Sequence, residues 1–385
     1  MNRSSFLLRS CLVVATIAAS GLCHALAEET RLTLTSPVDY QVVQRSFKNE
    51  GLIKIRGSVP PNDASVDAVE TKLTQQLDAK PVRSKVTHLT TSGDAFSVDL
   101  EVPAGGWYRL DVRVTCGDAV FQANIDHVGV GEVFVVAGQS NSANYGEEKQ
   151  STSTGLVSAF DGKKWRLAQD PEPGAGGKGG SFMPPLGDLL AKEFHVPIGF
   201  APCGIGATSV REWLPAGVPF PNPPTITQRV HQLPNGPWES DGRAFQTLAG
   251  ILKTLGPEGC RAVLWHQGES DANQKDPTRT LSGALYQQYL TKIILETRRE
   301  AAWRVTWLVA QASYHGPDDQ GSPEIREAQA AVVRDKLALP GPDTDQLKSE
   351  YREKNGQGVH FTGPGLREHA RLWSEKILHW QYLNP

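Results

Sequence analysis

The hydrophobic pattern of the chain changes once, near residue 129, and this change limits the fold more than any other feature. From residue 31 to about 128, apolar and polar residues alternate, as in the run from Phe96 to Val102. Alternating runs separated by turn clusters such as 60–63 and 103–106 predict a small antiparallel β-sandwich, Ig-like in its layering. Within it, segment 65–78 is also compatible with a short helix.

After residue 129 the chain contains continuous apolar runs, at 133–137, 261–265 and 305–310. Such runs indicate strands that are buried on both faces. Segments with helical spacing lie between them, and Ser322-Pro323 supplies an N-cap and a first-turn proline for one of these. The pattern predicts a parallel sheet covered by helices on both sides. Two glycine- and proline-rich segments, 146–185 and 214–240, are predicted to be long loops.

The first 27 residues have the features of a secretory signal peptide. Arg3 and Arg9 precede a short apolar run that ends in Ala25-Leu26-Ala27, which is an A-x-A cleavage pattern. The run is too short for a membrane anchor, and no later stretch is apolar enough to span a bilayer. We therefore expect a secreted or periplasmic protein, cleaved near Ala27. The predicted organisation is a signal peptide at 1–27, a β-sandwich domain at 28–128 and an α/β domain at 129–385.

Composition excludes several classes of protein. Hydrophobic residues make up 39% and charged residues 21% of the 385 residues, and the formal charge is -3. These values are typical of a globular protein, and a chain without a basic block has no electrostatic footprint for nucleic acid. Three cysteines, Cys116, Cys203 and Cys260, follow the signal segment without any C-x-x-C spacing, so we expect them to be buried small hydrophobic residues. The oligomeric state is not encoded in any pattern.

Four polar segments follow predicted strands and turns in the second half of the chain. The strand at 133–137 runs into Gly138-Gln139-Ser140-Asn141, and the strand at 261–265 runs into His266-Gln267-Gly268-Glu269. Open α/β sheets bind ligands at the carboxyl ends of their strands. Ser140 is therefore a candidate nucleophile, although a serine there can also be an ordinary helix cap.

The other two segments supply complementary chemistry. Residues 197–208 break from a strand into a glycine turn around Gly206, where backbone N–H groups can be aimed at an oxyanion. Gly358-Val359-His360 places a histidine ahead of a helix. A serine nucleophile needs a base to accept its proton, and His360 is the best-placed candidate.

These four segments together resemble the SGNH-hydrolase superfamily, in particular its sialate O-acetylesterase-like branch of carbohydrate acetylesterases. The resemblance covers roughly residues 129–385. It implies a flavodoxin-like α/β/α sandwich, often preceded by a β-sandwich, and a serine esterase that removes O-acetyl groups from a carbohydrate without a metal or other cofactor. It also implies that Ser140 is the nucleophile and His360 the general base. The implied oxyanion donors are the Ser140 N–H, the backbone at Gly206 and the Gln267 side chain.

The sequence departs from the family pattern at two positions. Ala207 replaces a second glycine, which matters little if its φ angle is negative. Gln357 replaces the aspartate expected three residues before His360, so the acidic partner of the histidine has to be sought elsewhere. Glu269 is the favoured candidate. A backbone carbonyl near Gln357, which would leave a Ser–His dyad, remains open, as do three aspartates: Asp271, Asp343 and Asp345.

Other functions remain open at this point. A degenerate hydrolase that only binds carbohydrate or a surface partner would explain Gln357, and an esterase of lipid or aryl esters would use the same residues. Trp213 and Trp238, which bracket the second long loop, are candidate stacking platforms for sugar rings. His266, Glu269 and Asp271 lack a second cluster that would complete a metal site, so no metal is expected. The sequence does not identify the acetylated sugar.

Overall fold

The computed structural model describes residues 32–61, 65–89, 93–272, 275–318 and 321–383. The predicted signal peptide at 1–27 lies outside these ranges. The described chain has an N-terminal part built from β-strands and a C-terminal part in which helices cover a large sheet. Among the described residues, no helix combines the length and the apolar character that crossing a membrane would require.

Two sheets form the N-terminal part, and they enclose a core of their own. Strands β1, β3 and β6 form one sheet, while β5, β4, β7 and β8 are neighbours in the other, with β2 added to β8. The strands are β1 (Thr33–Ser36), β2 (Gln41–Gln44), β3 (Glu50–Ser58), β4 (Ala68–Gln75), β5 (Pro81–His88), β6 (Ala95–Pro103), β7 (Gly105–Cys116) and β8 (Ala119–Gly138). Apart from the parallel β2–β8 pair, the pairing is antiparallel.

The alternating pattern is confirmed where it was clearest, since Phe96, Val98, Leu100 and Val102 are all buried on one face of β6. Segment 65–78 contains strand β4 instead of a helix. Val69, Thr71 and Leu73 are its buried residues, which is the period of two expected of a strand with one face in a core.

Strand β8 joins the two parts of the protein. Up to Val130 it pairs with β7, and from Glu132 onward it pairs in parallel with strands of the large sheet. The predicted boundary at 128/129 falls inside this continuous strand, close to the point where its neighbours change. Division into two domains that fold separately stays a prediction.

The C-terminal part is an α/β structure around a mostly parallel sheet, as predicted. Its strand order is β10-β9-β11-β8-β15-β16-β17, with β10 antiparallel at one edge. The strands after β8 are β9 (Val157–Phe160), β10 (Trp165–Leu167), β11 (Ile198–Pro202), β15 (Ala262–His266), β16 (Trp307–Gln311) and β17 (Leu339–Asp343). The remaining strands, β12 (Pro219–Phe220), β13 (Val230–Gln232) and β14 (Trp238–Ser240), form a small separate sheet within the segment predicted to be a loop.

Helices pack on both faces of the large sheet. Val133 and Val135 of β8 contribute to one hydrophobic cluster, and the intervening Phe134 contributes to the other. The helices are α1 (Met183–Phe194), α2 (Arg243–Leu255), α3 (Gly283–Ala301), α4 (Pro323–Arg334), the single turn α5 (Glu353–Gly356) and α6 (Gly363–Leu383). The predicted cap of α4 is confirmed, since Ser322 Oγ accepts a hydrogen bond from the backbone N–H of Ile325.

All three cysteines that were expected to be buried are buried. Cys116, Cys203 and Cys260 are each at most 3% exposed. Burial raises the pKa of the Cys203 thiol to about 12, so this thiol stays protonated and unreactive at neutral pH.

A buried ionic cluster connects the N-terminal and C-terminal parts of the protein. The Glu132 carboxylate, which is inaccessible to solvent, accepts hydrogen bonds from Arg45 at 2.6 Å and from Arg261 at 2.7 Å. Arg45 follows β2, and Arg261 immediately precedes β15. One carboxylate is therefore shared by two guanidinium groups that come from different parts of the chain.

We expect Glu132→Gln to lower the free energy of unfolding by about 3–5 kcal/mol, because it leaves two largely buried guanidinium groups without a counter-charge. Urea unfolding followed by tryptophan fluorescence measures the change. Glu300→Gln is a matched control, since Glu300 pairs with Lys253 at the surface, and its effect should stay within about 0.5 kcal/mol. A loss of under about 1 kcal/mol in Glu132→Gln would contradict a structural role for this cluster.

Candidate active site

Ser140 lies where the central strand of the large sheet ends. It begins a short 3-10 turn, Ser140–Ser142, two residues after β8. Gly138 is required for this approach, because its φ is +127° and a Cβ there would lie 2.0 Å from the carbonyl oxygen of His266 on the neighbouring strand. Ser140 is 5% exposed and is therefore largely buried at this strand end.

The backbone N–H groups of Ser140 and Gly206 have no internal acceptor among the residues that the structure describes. The turn that carries Gly206 is held to the nucleophile strand by a 2.9 Å hydrogen bond from the Ile205 N–H to the Gly138 carbonyl. These two predicted donors thus remain available for an oxyanion. Ala207, beside them, has a φ of +58°. The condition of a negative φ therefore does not hold, and the alanine adopts a conformation that glycine favours.

The third predicted oxyanion donor, Gln267, is engaged inside the protein. Its Nε2 donates to Asp271 Oδ2 at 2.7 Å and to the Thr208 carbonyl at 3.1 Å, and it lies 3.3 Å from Gln139 Oε1. The side chain is fully buried. An amide nitrogen has only two protons, so Gln267 has none left for a substrate. The geometry contradicts its assignment as a donor to the oxyanion.

Gln267 and Asp271 belong to a buried network that supports the glycine turn and the second long segment. Asp271 also accepts hydrogen bonds from Ser209 Oγ and from the Val210 N–H. Arg211, fully buried, approaches Asp271 at 3.3 Å and donates to the carbonyls of Asn222 and Pro223. The proline-rich segment 214–240 is therefore anchored to the same network as the candidate site.

His360 is paired with a carboxylate that sequence reasoning missed. Its Nδ1 lies 2.9 Å from Glu353 Oε1, and the side chains of His360 and Glu353 are 23% and 16% exposed. The backbone supports the pair, since the Glu353 N–H donates to the His360 carbonyl at 2.9 Å. An imidazole held at Nδ1 by a carboxylate presents Nε2 to its other side.

Glu269, the favoured partner of His360 from the sequence, lies elsewhere in the site. Its Oε1 accepts a hydrogen bond from Asn141 Nδ2 at 2.9 Å and lies 3.6 Å from His266 Nδ1. The carboxylate that contacts Nδ1 of His360 is that of Glu353. The geometry therefore corrects the assignment of Glu269 as the acidic partner of His360. Neither a backbone carbonyl nor an aspartate of the described chain occupies the position at Nδ1 of His360.

Asn141 links the nucleophile segment to the histidine segment. Besides Glu269, its Nδ2 donates to the carbonyl of Val359 at 3.2 Å. The residue after Ser140 is thereby tied to the residue before His360. Ser140 Oγ and His360 Nε2 make no hydrogen bond to each other in the described chain; such bonds are often long in enzymes without substrate and tighten in the complex.

Arg352 fixes the backbone of the histidine segment. This buried guanidinium donates to the carbonyls of Leu347, Val359 and Thr344 at 2.6, 2.6 and 2.9 Å. It also lies 4.1 Å from the ring centroid of Phe361, which gives a cation–π contact. Desolvation lowers the pKa of Arg352 to about 10, so it remains charged at neutral pH.

The two tryptophans proposed as sugar platforms differ in exposure. Trp213 is fully buried, and its ring packs edge-on against Trp265. It is a core residue, and its prediction as a stacking surface is wrong. Trp238 lies in β14, is partly exposed and packs against the same hydrophobic cluster. Its role in substrate binding stays a prediction.

The residues considered for a metal site make contacts within the protein. His266 Nε2 lies 2.8 Å from Thr344 Oγ1, and burial lowers the pKa of this histidine. Glu269 and Asp271 contact Asn141 and Ser209, as described above. Within the described ranges, no three His, Cys, Asp or Glu side chains are grouped so that they could hold a metal ion.

The first glycine-rich segment is attached to the site through Asn144 and contains a buried carboxyl group. Asn144 Oδ1 accepts from the Glu172 N–H at 2.7 Å. The Glu172 side chain is buried, and the Arg166 guanidinium is 3.9 Å away. Burial, together with the charge of Asp170, raises the pKa of Glu172 to about 8.

A raised carboxyl pKa makes stability depend on pH. Between the ordinary value near 4.5 and about 8 the folded state holds the proton of Glu172 more tightly than the unfolded state does. Stability from this group is therefore present below pH 4.5 and lost as pH rises towards 8, by up to about 1.4 kcal/mol per pH unit. We expect Glu172→Gln to flatten this dependence. Urea unfolding at pH values from about 5 to about 8 measures it, and an unchanged slope would contradict the prediction.

Comparison with known proteins identifies a family and a similar fold. Residues 130–379 match the family described as "Carbohydrate esterase, sialic acid-specific acetylesterase". No curated protein matches the chain. A carbohydrate acetylesterase from Xanthomonas citri has a similar structure, with a TM-score of 0.55 and 17% identity over 90% of this chain and 74% of that chain. A protein from Arabidopsis thaliana gives a TM-score of 0.44 and 16% identity over 64% of this chain and 98% of that one.

The fold, the strand-end serine and the family match together define an enzyme that hydrolyses carboxylic esters. More narrowly, the chain belongs to the carbohydrate esterase family of sialic acid-specific acetylesterases, which it matches over residues 130–379. The resemblance drawn from the four sequence segments is thus confirmed at the level of the family.

Proposed function

We propose that this protein is an exported serine esterase that removes O-acetyl groups from a carbohydrate, with Ser140 as nucleophile and His360 as general base. The observation that carries this proposal is the His360–Glu353 pair beside the segment of Ser140 at the end of β8. A carboxylate on Nδ1 orients the imidazole and stabilises its protonated form. Membership of an acetylesterase family supports the acetyl group as the acyl unit that is transferred.

The proposed reaction has two halves. Ser140 Oγ attacks the acetyl carbonyl while His360 Nε2 takes its proton, and the N–H groups of Ser140 and Gly206 stabilise the negative oxygen. The intermediate expels the sugar oxygen, which receives the proton from His360. Water then attacks the acetyl-serine, with His360 again as base, and acetic acid leaves as the proton returns to Ser140 Oγ. The acetic acid loses its own proton to water and becomes acetate. The cycle ends with Ser140 and His360 in their initial protonation states.

Glu353 removes the main reason to consider a degenerate hydrolase. That alternative was based on Gln357, which cannot provide a charge for the imidazolium. Glu353 provides one from a position further upstream, at 2.9 Å. We therefore propose that the acidic position has moved along the chain relative to the family pattern and that the chemistry is intact.

Further features of the proposal concern the fold and the substrate. Without the outer strand β9, which pairs in parallel with β11, the order β11-β8-β15-β16-β17 numbered from β8 is 2-1-3-4-5. This is the order of flavodoxin-like folds and supports that finer classification. The segments 146–185 and 214–240 both connect to the site, through Asn144 and Arg211. We propose that these segments select the sugar, and that cleavage near Ala27 precedes secretion or release into the periplasm.

Acetate release from a panel of O-acetylated carbohydrates tests the function. The panel contains O-acetylated sialic acid, acetylated xylan and acetylated pectin, with aryl acetate as a generic ester and a long-chain aryl ester as a lipase substrate. We expect acetate release from at least one carbohydrate with a higher kcat/KM than for the aryl ester. Activity on the long-chain ester alone, or no hydrolysis of any ester, would contradict the proposal.

A further inference from the structure

Tyr145 lies between His360, the candidate base, and the turn that carries Gly206. It lies five residues after Ser140, and its ring stacks on the His360 imidazole, with centroids 5.4 Å apart and an interplanar angle of 29°. It is partly exposed. Its hydroxyl has no hydrogen-bond partner in the part of the chain that the structure describes.

The phenol end of Tyr145 rests against the oxyanion turn. A Cβ added at Gly206 would lie 2.3 Å from Tyr145 Oη and 2.4 Å from its Cζ. A residue with a side chain at 206 would therefore have to displace the phenol, so the position of the tyrosine favours glycine here. Tyr145 Oη thus lies beside a residue whose N–H is an available oxyanion donor.

Gly176, from the first glycine-rich segment, lies next to the Tyr145 hydroxyl and the Gly206 nitrogen. A methyl group placed at Gly176 would lie 3.5 Å from Tyr145 Oη and 3.6 Å from the Gly206 nitrogen. The segment is held there by two hydrogen bonds, from the Asn144 N–H to the Gly176 carbonyl and from the Gly176 N–H to the Gly204 carbonyl, at 2.9 and 2.8 Å. One small space is therefore bordered by a tyrosine hydroxyl and a backbone N–H.

We propose that Tyr145 is a catalytic residue whose hydroxyl donates the third hydrogen bond to the oxyanion, in the place that the sequence assigned to Gln267. Gln267 is excluded because its two amide protons are taken by Asp271 and Thr208. Tyr145 Oη, in contrast, is next to Gly206 and has no acceptor among the described residues. Its ring, stacked on His360, keeps the base and the oxyanion donors in one rigid unit. This inference rests on the proposed function.

Tyr145→Phe is the direct test, because it removes the hydroxyl and keeps the ring on His360. Loss of one oxyanion donor costs roughly 10²–10³-fold in kcat, so we expect kcat for aryl acetate to fall about 10²-fold with KM within about threefold. Tyr40→Phe is the matched control. Tyr40 also stacks on a histidine, His127, at 4.2 Å, but it lies in the N-terminal part, so this variant should keep the wild-type kcat.

Affinity for a small alkylboronic acid distinguishes an oxyanion donor from a structural residue. The boronic acid forms a tetrahedral adduct with a serine, so its affinity should fall in Tyr145→Phe by a factor similar to that for kcat. Unchanged kcat/KM in Tyr145→Phe would overturn the inference, and so would a lower kcat with unchanged boronate affinity. Inactivity of the wild-type enzyme on every ester would instead overturn the proposed function, and the inference with it.

Discussion

Replacing Ser140 by alanine is expected to abolish acetate release, with kcat lowered roughly 10⁴–10⁶-fold. The reason is chemical: without Oγ no acyl-enzyme can form, and the Ser140 and Gly206 N–H groups alone accelerate attack by water only weakly. The fold should be unaffected, since Ser140 Oγ donates no hydrogen bond within the described chain. Acetate release and thermal unfolding measure the two properties separately.

Ser142→Ala provides the matched control for Ser140→Ala. Ser142 belongs to the same short turn, is fully buried, and donates from Oγ to the Gln139 carbonyl at 2.7 Å. Its removal should destabilise the protein by about 1 kcal/mol and leave kcat within about tenfold. A fluorophosphonate probe should label the wild type and Ser142→Ala but not Ser140→Ala. Labelling that persists in Ser140→Ala would show that another residue is the nucleophile.

The elements that the sequence predicted well are those determined by local pattern. Continuous apolar runs at 133–137 and 261–265 lie in β8 and β15, because a strand buried on both faces tolerates few polar residues at any position. Segment 65–78 was ambiguous for the opposite reason. Its apolar residues are sparse, and β4 exists because β5 and β7 pair with it on both sides, which is a long-range effect that no local window contains.

The position of Glu353 could not be predicted from spacing to the histidine. It reaches His360 because the chain reverses between them, with positive φ at Lys354, Asn355 and Gly356. The dipeptide Asn355-Gly356 is a turn signal in the sequence, so the reversal itself could have been expected. The signal does not show which side chain reaches the histidine after the turn. Glu269 drew attention because it stands in a conspicuous motif.

The misassigned role of Gln267 has a different cause. Its position directly after β15 places it at the correct edge of the sheet, and the sequence indicates this. Which way an amide side chain donates depends on the acceptors around it. Here Asp271 and the Thr208 carbonyl from the glycine turn both accept from it. The first of these is close in sequence, but the second depends on the packing of a segment that is distant along the chain.

Glu353→Gln is the second change with a large expected effect, since it tests which acid assists His360. The introduced glutamine is nearly the same size as the glutamate, and its amide oxygen could still accept from the imidazole Nδ1, so the orientation of the ring should survive. The negative charge that stabilises the imidazolium would be lost. Because the imidazolium forms only as the serine attacks, we expect kcat to fall roughly 10²–10⁴-fold with little change in KM.

Glu269→Gln separates the two candidate acids. Glu269 accepts from Asn141 Nδ2 at 2.9 Å, and glutamine can accept the same hydrogen bond, so kcat of this variant should stay within about tenfold of the wild type. Thermal unfolding shows whether either variant is damaged as a whole. A larger loss in Glu269→Gln than in Glu353→Gln, with both proteins folded, would return the acidic role to Glu269. Equal and small losses would mean that Ser140 and His360 act as a dyad, because neither carboxylate would then contribute its charge to the transition state.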